Sequence, residues 1–269
     1  MEINKKLNKI IILLMMVCIV AAAFIILKLK NSDDVKKNEP KVENSLPPTP
    51  APTPTPKVML PELVEHYNKN NDLIGWLKID NTPINNPVMF TPQDPEFYLN
   101  KDFNKNKTVA GTLFIDANSK ISTPNTNIII YGHNMKNDTM FGSLSEYANK
   151  SYYEKHKMIT FNTLYETGTY EIFGAFYAKV LKKSDKTSFR YYRYYGASTE
   201  EEFNTFVNYV KSVRQYDTGV EPKFGDRFIT LSTCSYHVAN GRFAVVARRV
   251  EQETTNEVAT DATQNNVNN

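Results

Sequence analysis

The chain has 269 residues, and 32 Lys and Arg stand against 29 Asp and Glu, a net charge of +3. So small a surplus, with no long basic block, gives no electrostatic argument for a nucleic-acid partner, and none is expected. Four His and two Cys, widely scattered, match no structural zinc pattern, so neither a metal nor a cofactor is expected.

Residues 1–9 carry Lys5, Lys6 and Lys9 and are expected to be a cytoplasmic N-terminus. Ile10–Leu27, IIILLMMVCIVAAAFIIL, follows without a charge. Its length is near the short end of a bilayer-spanning helix. It exceeds the usual apolar core of a cleaved signal, and apolar residues continue beyond the small residues at 21–23. A single-pass, uncleaved signal anchor is expected over 10–27, with a cleaved signal as the alternative. Lys28, Lys30, Lys36 and Lys37 nearly balance the lysines before the span, so charge alone does not orient it. Residues 28–57 end in PKVENSLPPTPAPTPTPK, an extended polyproline-like spacer. Such a spacer suits a domain held away from a membrane, on its outer side. Cys18 lies in the apolar segment, so a disulfide with Cys234 is not expected.

The folded domain is expected over 58–250. Leu60, Leu63, Val64 and Tyr67 fall at helical spacing. Seven strand candidates follow: GWLKID, INNPVMF, GTLFID, TNIIIYGH, GTYEIFGAFYAKV, DRFITLSTC and GRFAVVARRV. Gly142–Lys157 reads as helical. In STEEEFNTFVNYVKSV, Ser198 and Glu201 form a capping box, and Phe203, Phe206, Val207 and Val210 make one apolar stripe for core packing. Many short strands with a few inserted helices predict a mainly β fold of the α+β kind, a barrel or closed sheet. The tail 251–269 has four acids and no base and is expected to be disordered.

Cys234 sits where the β-like RFITLST gives way to polar SYHVANG, so its thiol is expected at a strand end. It could be a small buried hydrophobe. In an exported domain, however, an unpaired thiol is an oxidation liability, which favours use as a nucleophile. A reactive thiol needs a proton partner or a positive neighbour. His66 lies in a charged helix, and His156 is expected on an exposed helix face. His133 leaves the apolar strand NIIIY between Gly132 and Asn134, a good place from which to present a side chain. His237, three residues from Cys234, is the rival. Arg242 follows the turn signal ANG; if the strands on either side are neighbours, it shares an end with Cys234. It could hydrogen-bond an oxyanion or be a surface ion-pair residue.

TLSTC at 230–234, GR at 241–242 and YGHN at 131–134 together resemble the sortase family. GWLKIDNTPINNPV, GTLFID, YEKHKMITFNT and the helix at 198–213 are similar to class B members, over roughly residues 60–250. The resemblance implies a closed sortase-type β-barrel with an N-terminal helix and a long helix between two late strands. It implies a Gram-positive cell-surface cysteine transpeptidase, held in the cell membrane with its catalytic domain facing the wall. Cys234 would be the nucleophile, His133 the general acid/base and Arg242 the oxyanion stabiliser. Partners would be surface proteins bearing a C-terminal sorting signal of the Asn-Pro-x-Thr or a related Pro-x-Thr type, and a peptidoglycan amine. Ser235 stands where several class B members have an acid, so no assisting carboxylate is assigned. The alternatives are a Cys-His peptidase that releases product to water and a membrane-anchored binding module with a merely buried Cys234.

Overall fold

The computed structural model describes residues 57–121 and 126–250. The expected N-terminus, anchor, most of the linker and the tail lie outside the described residues. Among the described residues no helix is long and apolar enough to cross a membrane.

Helix α1, Pro61–Lys69, starts with Pro in its first turn, where a missing N–H costs nothing. Leu63 is its buried contact, and Leu60 and Tyr67 pack beside it. Val64 departs from the expected stripe and is 39% exposed. The helix meets the barrel through Leu60, Leu63 and Tyr67, with His66 on Trp76 beside them, so its apolar contact is narrower than the sequence pattern suggests.

Eight strands follow: β1 Leu73–Lys78, β2 Asn85–Met89, β3 Leu113–Ile115, β4 Asn127–Tyr131, β5 Met158–Thr163, β6 Thr169–Lys179, β7 Phe228–Cys234 and β8 Gly241–Arg249. They close into a barrel in the order β1-β2-β3-β4-β7-β8-β6-β5. All seven expected strands are present. The eighth, β5, has no counterpart among the strand candidates, because MITFNT is short and follows a lysine-rich helical segment. Ile159 and Phe161 turn inward, and β5 pairs with both β1 and β6 to complete the ring.

The segment expected to be one helix over 142–157 is broken. Gly142–Ala148 is a 3-10 helix and Lys150–Lys155 is α2. Asn149 between them is extended, with φ −93° and ψ 124°. Helix α3, Glu200–Val213, buries Phe203, Phe206, Val207 and Val210 as its stripe predicts. Its cap sits one residue later than expected. The Thr199 hydroxyl accepts from the Glu202 N–H at 3.2 Å, and the Glu202 carboxylate accepts from the Ser198 N–H at 2.8 Å. STEEE contains two overlapping boxes, and the apolar stripe sets the buried face without setting the first turn.

Two of the three hydrophobic clusters among the described residues lie on opposite faces of the sheet. Leu77, Val88, Ile130, Leu231 and Val245 meet in one cluster, while Phe173, Phe206, Phe228 and Val246 meet in another under α3. Strand β7 is therefore buried on both faces. Each fully buried Phe contributes about 1.5–3 kcal/mol by leaving water, and Phe206 also stacks on Tyr194 at 3.9 Å.

Strands β4 and β7 run parallel, from Asn127 opposite Phe228 to Tyr131 opposite Ser232. The buried Asn127 pins that register. Its Oδ1 accepts from the Thr230 hydroxyl at 2.9 Å, and its Nδ2 donates to the Tyr194 carbonyl at 2.8 Å. A one-residue slip would leave these groups unpaired in the core, at about 1–3 kcal/mol each. Parallel strands end at the same rim, so whatever follows Tyr131 emerges beside the end of β7.

Candidate active site

Three chain segments reach that rim. After β4 the chain passes through Gly132 to His133. A Cβ at Gly132 would lie 2.4 Å from Leu113 and 2.7 Å from the Phe141 ring, so any larger residue there would have to push those two side chains aside. The Thr233 hydroxyl donates to the Gly132 carbonyl at 2.7 Å. Phe141 N–H donates to the His133 carbonyl at 2.9 Å. Asn134 Nδ2 donates to the Cys234 carbonyl at 2.9 Å. The backbone carrying His133 is thus tied to the backbone carrying Cys234.

Cys234 ends β7, as its place in the sequence predicts, and is a half-buried free thiol. Across the antiparallel β7–β8 pair it stands opposite Arg242, so the two side chains leave the same face of the sheet. Arg242 Nη1 donates to the Gly241 carbonyl at 2.9 Å. That anchor uses one donor of the guanidinium fork and leaves the rest available. Arg248 and Arg249 lie at the other end of β8, paired with Glu171 and Glu166.

His133, Cys234 and Arg242 all line one cavity of about 520 Å³. Leu99, Phe114, Tyr131, Val180, Tyr191 and Tyr192 supply its largely apolar wall. The Tyr191 hydroxyl lies 2.9 Å from Ser232 Oγ. Burial pushes its phenol well above the usual range, against the opposing influence of Ser232 and the Arg242 charge. It therefore stays neutral at the wall.

The other histidines point elsewhere. His237 is exposed, with its Nδ1 2.9 Å from Ser235 Oγ and its ring on Tyr177 at 4.8 Å. It does not line the cavity. His66 packs on Trp76 at 4.8 Å. His156 places Nδ1 3.0 Å from the Asp80 carbonyl oxygen. Among the described residues no three His, Cys, Asp or Glu side chains gather as metal ligands.

Several cavity residues carry no sequence signal. Glu96 and Asp116 bring carboxylates to the lining, and Asp116 accepts from the Tyr131 hydroxyl at 3.1 Å. His133 Nε2 lies 2.7 Å from the Leu99 carbonyl oxygen, so its orienting partner is main chain, 34 residues upstream. A backbone acceptor leaves no mark in the side-chain pattern.

Residues 77–250 match the family model for the sortase domain. Sortase B of Staphylococcus aureus is 31% identical over 192 residues, covering 71% of this chain and 74% of the relative. Sortase B of Listeria monocytogenes is 32% identical over 176 residues, covering 64% of this chain and 67% of the relative. Among solved structures, a Staphylococcus aureus sortase B–substrate complex superposes with a TM-score of 0.64 at 29% identity. It covers 72% of this chain and 87% of that one. Clostridium perfringens sortase B gives 0.60 at 31% identity, covering 70% and 98%. With the closed barrel and the thiol-bearing cavity at its rim, these matches show that the chain belongs to the sortase family of cysteine transpeptidases, among its class B members.

Proposed function

We propose that Cys234, His133 and Arg242 carry the transpeptidation. The observation supporting this is that three residues from distant parts of the sequence open on one cavity. With its proton passed to the His133 imidazole, the Cys234 thiolate attacks the carbonyl carbon of a threonine in a sorting signal. The carbonyl π electrons move to oxygen, and the Arg242 guanidinium donates hydrogen bonds to the resulting oxyanion. As the tetrahedral intermediate collapses, the bond to the next residue breaks and His133 gives a proton to the departing amine. A thioacyl enzyme remains. An amine of the cell wall then enters, His133 takes its proton, and a new amide forms as the thiolate leaves.

The apolar cavity wall supports this order of events. Walls made by Leu99, Phe114, Val180 and the tyrosines favour an amine carried in on a larger molecule over bulk water. The sorting signal is of the Asn-Pro-x-Thr or a related Pro-x-Thr type. The uncharged stretch at 10–27 anchors the chain in the cell membrane, the Pro/Thr-rich segment to residue 57 spaces it, and the domain over 58–250 works on the outer side, facing the wall. Residues 1–9 stay in the cytoplasm.

A sorting peptide incubated with and without a peptidoglycan-type amine tests the reaction. The expected product is the peptide joined to the amine, with a thioacyl species on Cys234 in intact-mass spectra when the amine is withheld. Products that never contain the amine, over a broad set of acceptors, would replace transfer with hydrolysis.

A further inference from the structure

The proposed acid/base, His133, has a main-chain partner that is itself held by a buried polar network. The 3-10 helix Phe97–Asn100 brings the Leu99 carbonyl oxygen to 2.7 Å from His133 Nε2. The neighbouring Tyr98 is fully buried. Its hydroxyl accepts from Asn70 Nδ2 at 2.7 Å and donates to Asp72 Oδ2 at 2.8 Å. Asn70, which caps the C-terminal end of α1, also donates to the Phe103 carbonyl at 2.7 Å. Lys105 closes the network on Asp72 at 2.9 Å. Burial raises the Tyr98 phenol far above its ordinary range, so it remains a donor at any physiological pH.

On the other side, Thr112 N–H donates to the Tyr98 carbonyl at 3.0 Å, and the Thr112 hydroxyl to that of Lys101 at 2.8 Å. Gly111, at φ +60°, makes this approach possible. A Cβ there would come within 2.5 Å of the Leu99 oxygen and 2.7 Å of the Tyr98 oxygen. The carbonyl facing His133 is thus clamped from both directions by residues that do not touch the cavity.

We infer that the Leu99 carbonyl, held by Tyr98 and Gly111, fixes His133 as its Nε2–H tautomer and makes Nδ1 the nitrogen that exchanges protons. A carbonyl can only accept, so the nitrogen 2.7 Å from it must carry hydrogen. That hydrogen stays on Nε2 throughout. The proton delivered to the leaving amine, and later taken from the entering one, therefore moves on and off Nδ1. Tyr98, Leu99 and Gly111 are positioning residues. Their catalytic consequence rests on His133 being the acid/base, whereas the tautomer itself does not.

The test uses the full chain with 15N-labelled histidine. The His133 resonances are assigned by their loss in His133→Gln, and two-bond 15N–1H correlations read the tautomer at a pH where the ring is neutral. Gly111→Ala displaces the Leu99 oxygen, and Tyr98→Phe removes both hydroxyl hydrogen bonds. The expected wild-type spectrum is Nε2–H, turning into a mixture in Gly111→Ala. Peptide turnover should then drop about tenfold in kcat for Gly111→Ala and about threefold for Tyr98→Phe, with KM moving less than about twofold, since orientation of the base acts on the transition state. A merely structural role would lower thermal stability and leave tautomer and KM-to-kcat split alone. A predominantly Nδ1–H spectrum in the wild type overturns the inference, as does an unchanged tautomer and kcat in Tyr98→Phe if Gly111→Ala does not fold. Full activity in His133→Gln would instead sink the acid/base assignment and leave the tautomer result standing.

Discussion

Arg242→Lys separates charge from geometry at the proposed oxyanion site. Arg242 faces Cys234 across the β7–β8 pair, which places the two Cβ atoms about 4.5–5.5 Å apart. One arm of the fork is held on the Gly241 carbonyl at 2.9 Å, so the other arm is aimed without further loss of side-chain freedom. A lysine keeps the positive charge but has a single donor head and loses the anchor. Removing an oxyanion donor costs about 10²–10³ in kcat, or about 2.7–4 kcal/mol of transition-state stabilisation. With the charge retained, the expected loss is near the lower end, about 10²-fold. Stability should move by no more than about 0.5 kcal/mol, since the residue is only half-buried and no carboxylate pairs with it among the described residues. Cleavage of a fluorophore–quencher sorting peptide at saturating amine gives kcat, and thermal unfolding gives the stability control. Activity within about threefold of wild type in a stable Arg242→Lys would refute the reasoning and assign the oxyanion to backbone N–H groups.

His133→Ala is expected to remove nearly all turnover, about 10²–10⁴-fold, while His237→Ala, outside the cavity, should cost less than about twofold; the same peptide assay compares them, and the reverse order would move the base to residue 237. Thr199→Ala should destabilise the domain by about 1 kcal/mol through loss of the α3 cap, against a few tenths for Ser198→Ala, as measured by urea unfolding. Equal losses would put the cap back at residue 198.

Much of the barrel is legible from local pattern. The β-branched and aromatic runs of β4, β7 and β8 declare themselves because each is long and bounded by turn residues. MITFNT fails this test: it alternates, with Ile159 and Phe161 inward, but two inward residues beside a lysine-rich helix are too few to declare a period, and what makes β5 a strand is the pair of neighbours waiting on either side. The cap of α3 slips for a related reason, since two hydroxyl residues precede two glutamates at the same spacing and only the entry angle of the chain chooses between them. In the cavity, Cys234 and Arg242 are readable because a hairpin brings nearby residues together. The position of His133 beside them depends on parallel pairing across about a hundred residues, which spacing alone cannot reveal. The Leu99 oxygen is invisible to any reading of side chains.

The parallel β4–β7 pair also constrains how the enzyme comes into being. Antiparallel hairpins such as β7–β8 close locally, but β4 must wait for β7, since Asn127 finds Phe228 and Thr230 only after the intervening chain has been made. Long sequence separation of this kind slows folding, because loop-closure entropy comes before any reward. A nascent chain therefore carries an unremarkable sulfhydryl. The proposed nucleophile and the proposed acid/base open on one cavity only once the ring has closed, so on that proposal maturation of the barrel is itself the event that arms the enzyme.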